Sequence, residues 1–171
     1  AVGEADTEVL IDVSGNLIIN DINGESADAI EISVQNIDGF DYYVIRDLNA
    51  TPLILTTSIG AGDANRVGAS EIHVRVGAVT GGLDINTANP NESGAIDSVT
   101  ISDHLFFSGP IEINAETVNL GASVIFNTPT LTINGSVNLG AHTLTTSVET
   151  GTSSINGSIV GTGNLEKRGA G

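Results

Sequence analysis

The sequence predicts an all-β fold, a right-handed, three-faced parallel β-helix preceded by a small antiparallel β-meander cap. Three observations carry this expectation. The pentapeptide VNLGA occurs at residues 118–122 and again at 137–141, nineteen residues on. Around these copies, short apolar-x-apolar triplets recur in three interleaved series. The chain of 171 residues is 40% hydrophobic and only 15% charged. Gly, Ser, Thr, Asn, Val and Ile fill most of the remainder, a composition of strands and tight turns.

Residues 1–60 lie outside the repeat. TEVLIDV, NLIINDI, AIEISVQ, DYYVIRD and PLILTTS alternate in polarity as half-buried strands do, and SGN, NGESAD, NIDGF and LNAT are links of the short Gly/Asn type. An acidic antiparallel module is expected there, covering the open edge that the first turn of a coil presents. GAGDANRVGAS, residues 60–70, reads as the connection.

Residues 61–171 hold the repeat. The first series is Val99–Ile101, Val118–Leu120, Val137–Leu139 and Ile159. The second is Leu105–Phe107, Val124–Phe126, Leu144–Thr146 and Leu165–Lys167. The third is Leu83–Ile85, Ile111–Ile113, Leu131–Ile133 and Ser153–Ile155. Three strands per repeat of about 19–22 residues make a triangular coil whose inward residues stack in columns about 4.8 Å apart. The longer step from Leu83 to Ile111 is a normal rung with a loop inserted near 87–97. After each member of the third series comes an asparagine: Asn86, Asn114, Asn134 and Asn156. Asparagine tolerates the left-handed backbone of a tight corner, and its amide can bond the next one, so a stacked ladder is expected.

The net charge of −16 is concentrated at the front: residues 1–50 hold 11 acids and one base, Arg46. Such a polyanion repels nucleic acid and anionic lipid, which are bound through Lys/Arg. No run approaches the roughly 18 apolar residues of a membrane span, so this segment does not insert. The absence of an initiating Met and the small-residue start AVGEADTEV fit a removed signal peptide. The absence of cysteine excludes disulfides and thiolate metal sites.

The acids invite a calcium reading. Asp21, Asn23, Glu25 and Asp28 crowd one loop, and Asp38 and Asp41 flank a Gly-Phe turn. The spacing departs from the EF-hand pattern, however, and solvated turns are the expectation, with calcium the one candidate cofactor at Asp21, Asp28, Asp38 and Asp41. His73, His104 and His142 fall in no metal or general-base motif, and no G-x-S-x-G occurs.

At its C-terminal end the chain reads GTGNLEKRGAG, residues 161–171. It resembles the opening of the passenger-associated repeat of autotransporters, Gly-x-Gly-x-Leu-x-Lys-x-Gly-x-Gly, at Gly161, Gly163, Leu165, Lys167, Gly169 and Gly171. The coil itself resembles pectin-lyase-like and autotransporter-passenger β-helices. The resemblance implies a secreted or cell-surface bacterial protein, with this chain the N-terminal part of a longer passenger. The resulting expectation is a non-catalytic structural or adhesive module. Its last rung, at Leu165, Lys167 and Arg168, would join head to tail to the acidic front of another copy or continue into further repeats. The alternative is a lyase or hydrolase of the β-helix class acting on acidic polysaccharide, with Asp84, Asp97 and Asp103 as its acids. The scarcity of basic and aromatic platforms weighs against it.

Overall fold

The computed structural model describes residues 7–22, 27–56, 63–87 and 96–170. Glu25, Asn23, Gly171 and most of the loop expected near 87–97 lie outside the described residues.

The fold is all-β. The first strands are β1 (Thr7–Ile11), β2 (Leu17–Asp21), β3 (Ala29–Ile37), β4 (Phe40–Asp47), β5 (Leu53–Leu55), β6 (Ala64–Arg66) and β7 (Glu71–Arg75), followed by one 3₁₀ turn, Val76–Ala78. Then come β8 (Leu83–Asn86), β9 (Ser98–Ile101), β10 (Leu105–Phe106), β11 (Ile111–Leu120), β12 (Val124–Asn127), β13 (Leu131–Asn138), β14 (Thr143–Ser147), β15 (Ser153–Ile155), β16 (Ile159–Val160) and β17 (Asn164–Arg168).

Parallel pairing arranges the repeat in three columns. In the first, Leu17, Leu83, Ile111, Leu131 and Ser153 are successive Cα partners. In the second, Ile30, Val99, Val118, Val137 and Ile159 follow one another. The third is the separate four-stranded sheet β10-β12-β14-β17. The strands β11 and β13 each serve both of the first two columns. Thus Ile111–Asn114 pair with β8 while Thr117–Leu120 pair with β9. Alternation places every second residue inside: Leu17, Ile19, Ile30, Ile32, Leu83, Ile85, Val99, Ile101, Ile111, Ile113, Leu131 and Ile133 are all essentially inaccessible. One continuous apolar core results.

The larger sheet is mixed, and the N-terminal strands show why. All five expected strands are present, yet they do not form a meander. β1–β2 and β3–β4 are antiparallel hairpins, but β5 pairs with β1 in parallel, β2 pairs with β8 and β3 with β9. The cause is pattern: Leu17-Ile18-Ile19-Asn20 has the apolar-x-apolar-Asn form of the later first-column strands, so it stacks on Leu83–Asn86 as they do. Antiparallel pairing continues past residue 60, because β7 pairs with β4 and β6 with β7. Part of the segment read as a connection is therefore strand.

The second series departs from its expected alignment. Leu105 is the partner of Phe126, not of Val124, a slip of two residues. The histidine before the slipped strand compensates, since the backbone N–H of Ile125 is bonded by His104 Nδ1 at 3.1 Å. Beyond it Phe107, buried, stacks on the ring of Tyr43 at 5.0 Å.

Candidate functional site

The corner between the first and second columns concentrates the polar side chains that the sequence singles out. Asn20, Asn86, Asn114 and Asn134 are successive Cα partners at the end of the first column. The amide of Asn134 donates from Nδ2 to Asn114 Oδ1 at 2.6 Å, and Asn156 Nδ2 donates to Asn134 Oδ1 at 2.7 Å. A shorter ladder joins Asn138 Nδ2 to Asn119 Oδ1 at 3.2 Å in the second column. Asn20 escapes a reading of the repeat because the chain returns to its column only at Asn86. The shared form Leu-x-Ile-Asn (Leu17–Asn20, Leu83–Asn86) was the available signal.

The asparagines do not supply the left-handed backbone expected of them. Among the described non-glycine residues only Asp38 and Ala50 have positive φ. The corner strain falls instead on the next residue of the tightest turn, Gly135, with φ of 154°. A Cβ there would lie 1.8 Å from the carbonyl oxygen of Ala115 in the preceding tier. In β11 the same corner is a bulge, Ala115 and Glu116 standing opposite Gly135 alone. Glycines of the last tier have a similar role: a Cβ on Gly163 would meet the His142 carbonyl oxygen, and one on Gly169 that of Val148.

Where the corner is longer, carboxylates hold it. Glu116 Oε2 accepts the Asp97 N–H at 2.6 Å, Asp97 Oδ1 accepts the Asp28 N–H at 2.8 Å, and Asp28 Oδ2 accepts the Thr7 hydroxyl at 2.7 Å. Asp28 and Asp97 are buried, and each directly precedes a strand. They anchor β3 and β9 to the tier below.

The calcium candidates are accordingly dispersed. Asp28 belongs to this carboxylate chain, and Asp21 ends β2 opposite Thr7. Asp38, with φ of 52°, and Gly39 make the two-residue turn of the β3–β4 hairpin. Asp41 Oδ1 accepts from Asn36 Nδ2 across that hairpin at 2.7 Å. Among the described residues no three His, Cys, Asp or Glu side chains gather where they could hold a metal ion. The histidines are separate too: Nε2 of His73 bonds Glu71 at 2.6 Å, while His104 serves β12. Glu71 also binds Arg46, whose hydrogen bond is the main cause of its lowered carboxyl pKa.

One acidic groove lies on the outer face of the first column. Asp84 and Glu112 are neighbours across parallel strands, and with Asp12 and Ile18 they line a depression of about 190 Å³. Burial, and then the charge of Glu112, push the Asp84 carboxyl above its ordinary pKa. Asp12 is lowered, chiefly by the Asn16 N–H, with the Asn16 side chain and the Ser14 and Gly15 backbone adding to it. Asp97 and Asp103 are placed elsewhere, Asp97 in the buried corner and Asp103 accepting the Val34 N–H at 3.2 Å.

At the far end of the columns the interior pattern runs out into solvent. Val137 and Leu144 are fully buried, but their partners in the last tier, Ile159 and Leu165, are 42% and 49% exposed. Lys167 and Arg168 are exposed beside Leu165 on β17, the edge strand of the third column, and Arg168 lies 3.4 Å from Glu166. No family model matches the chain, and no curated protein or solved structure matches it.

Proposed function

We propose that the chain is a right-handed, three-faced parallel β-helix module with a non-catalytic structural or adhesive task outside a bacterial cell, of the kind found in autotransporter passengers. The observation that carries this reading is the last tier. Its strands β15, β16 and β17 have the register of the buried tiers above them, yet leave Ile159, Val160 and Leu165 exposed. An edge of that kind accepts further strands. The front of another copy would supply such strands. The contact is then heterologous, does not close, and propagates as a filament. The acidity of residues 1–50 complements Lys167 and Arg168 at the other end.

Electron microscopy and sedimentation over a range of concentrations test self-assembly. Fibres, or a sedimentation coefficient that grows with concentration and collapses in Leu165→Asp, support the head-to-tail form. Particles that stay monomeric throughout remove it.

The stacked pair Asp84–Glu112 supports a second reading, a polysaccharide lyase or hydrolase, because a carboxyl raised by burial beside a second carboxylate is a usual starting point for acid–base chemistry on a glycosidic bond. Incubation with pectin, alginate and related polyuronates decides it. Release of unsaturated products or new reducing ends, lost in Glu112→Gln, would displace the structural reading.

A further inference from the structure

Among the described residues the third column has no strand in its first tier. β2 and β3 supply that tier for the other two columns, but the chain then turns back as β4, leaving β10 at the edge of the four-stranded sheet. The inner face of the β3–β4 hairpin overhangs this edge. Between them lies a cavity of about 250 Å³, walled by Val34, Asp41 and Tyr43 from the hairpin and by Asp103, His104 and Phe106 from below.

Its walls are fixed. The Tyr43 hydroxyl donates to the Phe106 carbonyl at 3.1 Å, and burial holds that phenol protonated by raising its pKa to about 12. Asp103 commits Oδ2 to the Val34 N–H, and Asp41 commits Oδ1 to Asn36, so each keeps a second carboxylate oxygen for other partners. Phe106 is 55% exposed. No lysine or arginine is among the lining residues. The arginines of the adjoining strands β4 and β7 are engaged by other partners, Arg46 by Glu71 and Glu31 and Arg75 by Asp63 and the ring of Phe40.

Two carboxylates, Asp41 and Asp103, that line one cavity with Phe106 and the apolar Val34 and Val76 make a site for an organic cation. We propose that this cavity binds an alkylguanidinium or alkylammonium group carried on a short apolar stem. Guanidinium is the better fit, being planar, weakly hydrated and able to stack on Phe106 while bonding a carboxylate. The same hairpin already makes that contact on its opposite face, where the Arg75 guanidinium carbon sits 4.0 Å from the centre of the Phe40 ring. The volume is below the roughly 300 Å³ at which pockets for drug-sized ligands begin, which suits one basic side chain or a small amine.

The test is a titration of the full chain at low salt with butylguanidinium, with butylurea as the neutral isostere, following the backbone amide resonances of Val34, Tyr43, His104 and Phe106. Saturable shifts confined to these residues are expected for the cation, with affinity falling about ten-fold for butylurea and about ten-fold in Asp103→Asn or Asp41→Asn. Phe106→Ala, at an exposed position, keeps the fold and weakens binding if the ring takes part. A capped Val-Arg-Val peptide separates the two sources of the cation. Tighter binding than butylguanidinium marks a basic peptide strand laid along β10, and equal binding marks a small free amine. Equal shifts from cation and isostere, undiminished binding in both aspartate variants, or no saturation at millimolar cation would overturn the proposal.

Discussion

Residues 98–170 and residues 7–75 are built from the same short alternating strands, yet they find their partners in opposite ways. In the later region each strand pairs with one about a single repeat away, as Val118 does with Val99 and Val137. In the earlier region antiparallel hairpins are interleaved with parallel pairings across long stretches of chain, so that the Asp28 N–H reaches Asp97, 69 residues on. The difference teaches that a repeat shows itself in sequence only while successive copies are contiguous. β2 and β3 carry the column pattern as faithfully as β8 and β9, but their nearest relatives are hidden behind an intervening hairpin and sheet. Folding of the earlier region must close those long loops before any pairing rewards it, whereas later tiers add one at a time.

The largest expected effect breaks the later region at its tightest corner. Gly135→Ala places a methyl group against the backbone carbonyl of Ala115, which cannot move without separating two tiers. A loss of about 2–4 kcal/mol is expected in denaturant titration. The contrasting change in the earlier region is Gly39→Ala at the hairpin turn. Its φ of 86° is unfavourable, but nothing lies within 4 Å, so the loss should be only about 1 kcal/mol. Equal losses would show that tier spacing does not govern the corner.

The next effect concerns the amide ladder. Asn134→Ala removes the bonds to both Asn114 and Asn156, and should cost about 1–3 kcal/mol. Asn36→Ala, which breaks the exposed contact with Asp41, should fall within about 0.5 kcal/mol. Denaturation midpoints that move equally in the two variants would reduce the ladder to independent turn residues.

The smallest effect has the opposite sign. Asp84 has a raised carboxyl pKa in the folded state, so folding favours its protonated form. The resulting penalty is absent below the ordinary value of 3.8, grows as pH rises toward and through the raised value, and is complete at neutral pH. Asp84→Asn should therefore raise the melting temperature at pH 7, by the equivalent of about 0.5–1 kcal/mol, and do nothing at pH 3. A gain at pH 3 as large as that at pH 7 would place its origin elsewhere than in the charge.

Much of the later region was legible because alternation, triplet spacing and the aligned asparagines all follow directly from stacked pairing. The slip at Leu105 was not, since it depends on a histidine side chain standing in for a main-chain partner. The carboxylate chain of Asp28, Asp97 and Glu116 was equally hidden. Acids in Gly/Asn-rich loops look alike in sequence whether they face water or anchor a buried strand. The cavity above β10 lies where the described residues place no strand in the third column, and no pattern of letters marks such a position.

Parallel pairing of β2 with β8 is the point on which the two regions are joined, and it is open to direct measurement because the chain has no cysteine of its own. Ile18 and Asp84 are Cα neighbours on the outer face of the first column, at a separation of about 4.8 Å that a disulfide spans. Oxidation of the Ile18→Cys/Asp84→Cys variant should give an intramolecular cross-link in the native protein, whereas Ile18→Cys/Ser33→Cys, which would face each other if β2 and β3 were the paired strands of a meander closed by residues 23–28, should stay reduced. Cross-linking of the second pair and not the first would contradict the shared column.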